Sequence, residues 1–170
     1  KPEYTLAVTS RPAPDAVPFT ERDSIRYDIH KATADGYDET AVTIDYGAED
    51  SLKRFALPPG DYVVVASKDL ARAANPVTVT DDKTTKLDIA MDAGWIEARA
   101  MATETQPATE GDVRWDITDA DGETDTNYGL TRRVLLNAGE ATVTAILGTA
   151  TATVPVTVGA GGTLPVDVVI

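Results

Sequence analysis

Apolar and polar residues alternate along much of this chain with a period of two, which is the spacing of a strand that buries one face. In IRYDI at 25–29 and VRWDI at 113–117, every second residue is apolar and charged residues stand between them. The same alternation occurs in KLDIAM at 86–91 and PVDVVI at 165–170. Because a slip of one residue would turn each apolar set toward solvent, these segments predict strands with defined inward faces.

The chain contains two copies of one unit. Residues 53–91 align without a gap to residues 132–170, at an offset of 79, and 13 of the 39 pairs are identical. Further upstream, 25–29 corresponds to 113–117 at the larger offset of 88 residues. We expect the additional residues of the first copy to form a longer loop between 36 and 52. A repeat of this length indicates one architecture used twice.

Short turn signals rich in Gly, Asn, Asp and Pro separate the strands. They are TADG, PPG and TDDK in the first copy and DADG, NAG and GAGG in the second. SKDLARAAN at 67–75 is long enough for a helical turn, but its counterpart ILGTATATV favours a hairpin. We therefore predict an all-β fold of two tandem antiparallel β-sandwiches with about seven strands each, residues 1–92 and residues 93–170. The short junction at 91–96 predicts that the two domains are held in a restricted orientation.

The segments LPPGDYVVVAS at 57–67 and NPVTVTDDKTTKLDIAM at 75–91 resemble bacterial immunoglobulin-like repeats of the prealbumin or carboxypeptidase-regulatory type. RWDITDADGE at 114–123 is similar to the strand-turn-strand segment of those repeats. Such repeats are accessory modules of exported bacterial proteins, among them proteins that carry von Willebrand factor A domains. The resemblance implies a β-sandwich, an exported location (periplasmic, cell-surface or secreted) and a non-enzymatic role.

Composition narrows the classes of partner and of chemistry. The net charge is −13, which disfavours binding to nucleic acid and to anionic membrane surfaces. No apolar run approaches the roughly 18 residues that a membrane-inserted helix needs. There is no cysteine, so disulfides and cysteine chemistry are excluded. His30 is the only histidine, and the chain has no Gly-x-Ser-x-Gly motif or phosphate-binding loop. We therefore predict that His30 is an ordinary residue at the end of a strand and that the protein is not an enzyme.

The segment DITDADGETDTN at 116–127 carries alternating carboxylates around a glycine. The candidate ligands are Asp119, Asp121, Glu123 and Asp125. Ca²⁺ binds clustered carboxylate oxygens in tight loops, but the EF-hand arrangement also needs a bidentate Glu further along, which is missing here. Asp-Gly is equally a common hairpin turn. Two interpretations stay open: a solvated turn, or a weak calcium site.

A carbohydrate-binding surface is a further alternative, because such surfaces use exposed aromatic rings. The alternation places Tyr27, Tyr62 and Trp115 on inward positions, where we expect them in the core. The tyrosines that lie in or beside loops, and that we expect at the surface, are Tyr37, Tyr46 and Tyr128.

Two further features concern the surface. The basic pair Lys53-Arg54 recurs as Arg132-Arg133, where charged residues protect an edge strand from pairing or contact an anion. From 141 to 170 the only charged residue is Asp167, and such a Thr-rich surface favours packing against the other domain or a further neighbour. We expect a structural spacer or interaction module that contacts other domains of the same protein or a surface protein, with calcium or carbohydrate binding as the alternative.

Overall fold

The computed structural model describes residues 2–46 and 52–170, which form fourteen β-strands and one 3₁₀ turn, Glu21–Asp23. The strands of the first copy are β1 (Leu6–Arg11), β2 (Arg26–Thr33), β3 (Gly36–Tyr46), β4 (Leu52–Phe55), β5 (Gly60–Lys68), β6 (Ala71–Val79) and β7 (Thr85–Ala90). Those of the second copy are β8 (Ala93–Met101), β9 (Arg114–Thr118), β10 (Thr124–Tyr128), β11 (Thr131–Asn137), β12 (Gly139–Leu147), β13 (Ala150–Val158) and β14 (Thr163–Val169). The predicted all-β fold with seven strands in each copy is confirmed.

The first copy is built from two sheets. One has three strands in the order β4-β1-β7, and the other has four in the order β3-β2-β5-β6. Strand β1 is antiparallel to β4 but parallel to β7, while β2 is antiparallel to both β3 and β5. Alternate side chains of the central strands face the space between the sheets, among them Leu6, Ile29 and Val64. The two sheets bury these side chains against each other as a β-sandwich.

The second copy repeats this topology strand for strand. Its sheets have the orders β11-β8-β14 and β10-β9-β12-β13, and β8 is again parallel to the last strand, β14. Tyr27 lies opposite Ala66, and Trp115 lies opposite Ala145. Since Ala66 and Ala145 are matched in the sequence repeat, the register predicted for the upstream strands is confirmed.

The side chains predicted to face inward are buried. Tyr27 is 3% exposed, Tyr62 4% and Trp115 0%. The Tyr27 and Ser10 hydroxyls share a hydrogen bond of 2.5 Å, and the Trp115 Nε1–H donates to the carbonyl oxygen of Gly129 at 2.9 Å. Burial raises the pKa of the Tyr27 phenol above its ordinary value. The polar ends of these two core aromatics therefore have partners, as buried polar groups require.

The hairpins that follow the first strand differ in length between the copies. Strands β2 and β3 have 8 and 11 residues, whereas β9 and β10 have 5 each. The loop predicted between 36 and 52 is therefore wrong for 36–46, which is strand β3, and 47–51 lies outside the described residues. The β2–β3 register shifts between Ile29 and His30 and again between His30 and Ala32. Bulges of this kind bend a hairpin.

The chain divides into two compact units, one of Lys1–Lys68 with Arg72–Met91 and the other of Asp69–Ala71 with Asp92–Ile170. Each unit holds one of the two sandwiches. Within residues 2–46 and 52–170, no helix has the length and apolar character needed to cross a bilayer.

Candidate functional site

The carboxylate-rich segment at 116–127 forms the turn between β9 and β10. The Asp119 carboxylate accepts backbone N–H groups from Asp121 and Glu123, both at 3.0 Å. The backbone of Asp119 pairs with that of Glu123 at 2.9 Å, and Gly122 has the positive φ of 84° that this tight turn needs. Asp119 thus acts as an internal acceptor that holds the turn, a common use of Asp at such positions.

The fourth candidate ligand, Asp125, is hydrogen-bonded to an arginine. Both carboxylate oxygens of Asp125 accept from Arg132, each at 2.9 Å, and this hydrogen bond raises the pKa of the Arg132 guanidinium. Asp121 and Glu123 are exposed, and no cluster of three or more His, Asp or Glu side chains that could hold a metal occurs in the described part of the chain. The geometry therefore favours the solvated turn, and the calcium site stays a prediction.

The three tyrosines predicted at the surface have different environments. Tyr128 is 59% exposed on the edge strand β10. Tyr37 is half-buried, and its ring centroid lies 4.6 Å from that of His30. The side chain of Tyr46 lies outside the described part of the structure. The carbohydrate-binding surface therefore stays a prediction.

A cluster on the outer face of the first four-stranded sheet was not anticipated. Arg72 on β6 donates to the Tyr37 hydroxyl, and the His30 Nδ1–H donates to the carbonyl oxygen of Asp38 at 2.7 Å. The prediction that His30 ends its strand is wrong, because β2 continues to Thr33 and His30 is only 7% exposed. We call His30, Tyr37 and Arg72 the Tyr37 cluster.

The Tyr37 cluster lies over strand β5. Strand β5 stands between β2 and β6, so a ring that contacts His30 on β2 and Arg72 on β6 covers the strand between them. Val63 and Val65 of β5 are accordingly 8% and 1% exposed, although they face away from the sandwich core. The β2–β3 hairpin and β6 thus add a layer of side chains, those of the Tyr37 cluster, outside the first sandwich.

The repeated basic pairs lie on edge strands, as predicted, since β4 and β11 each end a three-stranded sheet. The Arg133 guanidinium lies 3.5 Å from the centroid of the Trp95 ring, a cation–π contact, and its Nε lies 3.3 Å from the Glu97 carboxylate. Charged side chains on an edge strand hinder its backbone from pairing with a strand of another chain.

Several surface grooves have volumes of several hundred Å³. In the first unit, a groove of about 770 Å³ lies beside Phe55, Pro58 and Tyr62. In the second unit, grooves of about 500 and 530 Å³ lie beside Pro155 and Pro165 respectively. In the groove beside Pro165, the charged side chains form ion pairs, Arg99 with Asp167 and Arg133 with Glu97. Such pairing leaves these groups poorly suited to act as a general base or nucleophile.

No protein-family model matches the sequence, and no curated protein is similar to it at a significant level. Several solved structures match this chain over nearly its full length at low identity. A streptococcal ancillary pilin is 10% identical with a TM-score of 0.48, over 98% of this chain and 62% of that one. GBS52, the minor pilin of Streptococcus agalactiae, is 12% identical with a TM-score of 0.44, over 98% and 95%. The shaft pilin SpaA of Lactobacillus rhamnosus GG is 10% identical with a TM-score of 0.43, over 98% and 96%.

At identities near 10%, these similarities assign no activity, ligand or partner to this chain. The first pilin is also longer, since the chain spans 62% of its length. The narrower resemblance to carboxypeptidase-regulatory repeats, and to proteins with von Willebrand factor A domains, stays a prediction.

Proposed function

We propose that the chain is a non-enzymatic structural module of an exported or cell-surface bacterial protein. In this role its two sandwiches act as a spacer and offer surfaces to other protein domains. The observation that carries the proposal is the strand-for-strand repetition of one topology, with aromatic side chains filling both interiors. A repeated unit whose shape is kept while its surface changes is suited to setting distance and presenting surfaces.

The condition of the polar groups supports a structural role. The carboxylates of Asp119 and Asp125, two of the candidate calcium ligands, accept hydrogen bonds from backbone N–H groups and from Arg132 respectively. His30 is packed against Tyr37 on an outer sheet face. An active site instead gathers such groups around an open concave site.

The surface of the second unit supports contact with protein rather than with nucleic acid or lipid. Between 141 and 170 Asp167 is the one charged residue, and Thr side chains occupy most outward positions of β12 and β13. Thr144 and Thr153, for example, share a hydrogen bond of 2.9 Å across these strands. Glu140 is the one charged residue among the outward positions of β12 and β13, and such a Thr-rich face suits a protein neighbour. The overall charge of −13 disfavours polyanions.

The location is tested by treating intact cells of the source organism with a protease that cannot enter them. We expect the chain to be degraded on intact cells, while a cytosolic protein in the same sample stays whole. Protection that persists after the outer membrane is permeabilised, and ends only when the cytoplasmic membrane is lysed, would contradict the exported location.

The structural role is tested by comparing two variants in the same cells. His30→Gln removes the only imidazole, and Trp115→Ala empties the core of the second unit. A structural module keeps its cellular role in the first variant and loses it in the second. Loss of the role in His30→Gln, with the fold unchanged by circular dichroism, would favour a chemical function instead.

A further inference from the structure

The first and last strands of each unit are parallel neighbours. All six residues of β1 pair in register with β7, from Leu6 opposite Thr85 to Arg11 opposite Ala90. In the second unit, all seven residues of β14 pair with β8. The chain therefore enters and leaves each unit through two strands that are hydrogen-bonded to one another.

These ladders extend beyond the strands themselves. The Thr85 N–H donates to the carbonyl oxygen of Thr5 at 2.9 Å, and the Met91 N–H donates to that of Arg11 at 2.9 Å. In the second unit the Ile170 N–H donates to the carbonyl oxygen of Met101 at 3.1 Å. Strands β1 and β8 are also central strands, each paired on its other side with β4 or β11.

Parallel pairing determines how tension acts on the unit. The N-terminal end of β1 and the C-terminal end of β7 lie at opposite ends of their shared ladder. A pull on these two ends slides one strand along the other and loads the whole evenly spaced ladder at once. A pull on two ends that lie side by side would instead open the ladder one bond at a time.

Both ladders carry an Arg–Asp pair at the same repeat position of the acidic residue. Asp88 and Asp167 are matched in the repeat. Arg99 lies directly opposite Asp167 and pairs with it at 3.0 Å. In the first unit Thr9 lies opposite Asp88 and donates to it at 2.9 Å, and Arg11, two residues further along β1, pairs with it at 3.0 Å. The arginine thus comes from a different position in each copy, yet both pairs join the terminal strands.

We infer that each unit is a mechanical clamp, in which the parallel terminal strands and their Arg–Asp pair resist tension applied along the chain. This inference rests on the proposed spacer function, because only a spacer between attached partners is stretched along its chain. Resistance to force is set by the unfolding rate under load rather than by equilibrium stability.

The clamp is tested by pulling one unit in two directions in a single-molecule force experiment on the full chain. The chain has no cysteine, so introduced pairs provide unique attachment points. Glu3→Cys with Ala90→Cys pulls the opposite ends of the β1–β7 ladder, and Glu3→Cys with Lys83→Cys pulls ends that lie side by side. All three positions are exposed. We expect the unfolding force in the first geometry to be at least about twice that in the second, because the hydrogen bonds of the β1–β7 ladder are then loaded together. Equal forces would overturn the clamp.

The Arg–Asp pairs are tested with Asp88→Asn in the same two geometries. We expect a lower unfolding force in the sliding geometry and an unchanged force in the opening geometry, with circular dichroism verifying the fold. An unchanged sliding force would overturn the role of the ion pair. Either mechanical failure can occur while the protease test still places the chain outside the cell, so the clamp and the proposed function fail separately.

Discussion

The outer faces of the two four-stranded sheets differ, although the sheets beneath them have the same topology. In the first unit, Val63 and Val65 of β5 are covered by the Tyr37 cluster and are 8% and 1% exposed. At the matching positions of β12, Thr142 is exposed and Thr144 is half-buried. One copy therefore covers the middle of this face with side chains, and the other leaves the matching positions wholly or partly open to solvent.

The difference teaches which parts of a duplicated unit are free to change. Inward residues such as Tyr27 and Trp115 keep their roles because each sandwich needs a filled core. The outward residues of β5 and β12 follow the local hairpin instead. The long β2–β3 hairpin carries Tyr37, whose side chain lies over the valines of β5. The β9–β10 hairpin is short, and the matching outward residues of β12 are threonines.

The comparison is tested most strongly in the shared core. Trp115→Ala should lower the free energy of unfolding of the second unit by about 3–5 kcal/mol, because it removes a fully buried ring. Both tryptophans belong to this unit, so Trp95 fluorescence during urea unfolding follows it selectively. Tyr27→Ala should leave that transition in place and destabilise the first unit, as followed by circular dichroism. A loss below about 1 kcal/mol for Trp115→Ala would contradict a common core.

An exchange between the outer faces has a smaller expected effect. Val65→Thr should destabilise the first unit by about 1–2 kcal/mol, because it buries a hydroxyl beneath the Tyr37 cluster. The reverse change, Thr144→Val, should stay within about 0.5 kcal/mol in the second unit, where the site is partly open to water. Urea unfolding of both variants measures the difference.

The same exchange shows whether Tyr37 provides the cover. In a Tyr37→Ala background, Val65→Thr should cost less than it does alone, because water then reaches the hydroxyl. Additive costs in this double-mutant cycle would mean that Tyr37 does not cover Val65.

Much of the sandwich could be predicted from sequence because both copies repeat the same alternation, and a mismatch in register would have exposed the core residues. The Tyr37 cluster could not, because two bulges in β2–β3 leave no periodic signal and Arg72 reaches Tyr37 from another strand. The Arg–Asp pairs were also missed. The gapless repeat shows the matched Asp88 and Asp167, but their arginines stand at different positions on β1 and β8.

Two substitutions in the turn after β9 distinguish the two interpretations of the acidic segment, a solvated turn and a weak calcium site. Asp119→Ala should lower the free energy of unfolding of the second unit by about 1 kcal/mol, because two backbone N–H groups lose their acceptor. Asp121→Ala, the matched control on the same turn, should stay within about 0.5 kcal/mol since its side chain is exposed. Millimolar calcium should leave the melting temperature unchanged in both. A rise with calcium that either substitution abolishes would establish the calcium site.

The smallest expected effect is a change in the stability of the second unit at acidic pH. The hydrogen bond from Arg99, together with its charge, lowers the pKa of the Asp167 carboxyl below its ordinary value. A carboxyl whose pKa is lower in the folded state than in the unfolded state stabilises the fold at pH values above its unfolded pKa of about 4. This contribution is lost as the pH falls through the folded pKa. Asp167→Asn should therefore be less stable than the parent chain at pH 7, with the difference vanishing toward pH 3. Urea unfolding followed by tryptophan fluorescence across this range measures it, and Arg99→Gln should remove the same pH-dependent difference. A gap between parent and Asp167→Asn that is unchanged from pH 7 to pH 3 would mean that the ion pair contributes nothing to folding. The terminal strands of the second unit would then be held at equilibrium by their backbone ladder and by core side chains such as Ile96 and Val168.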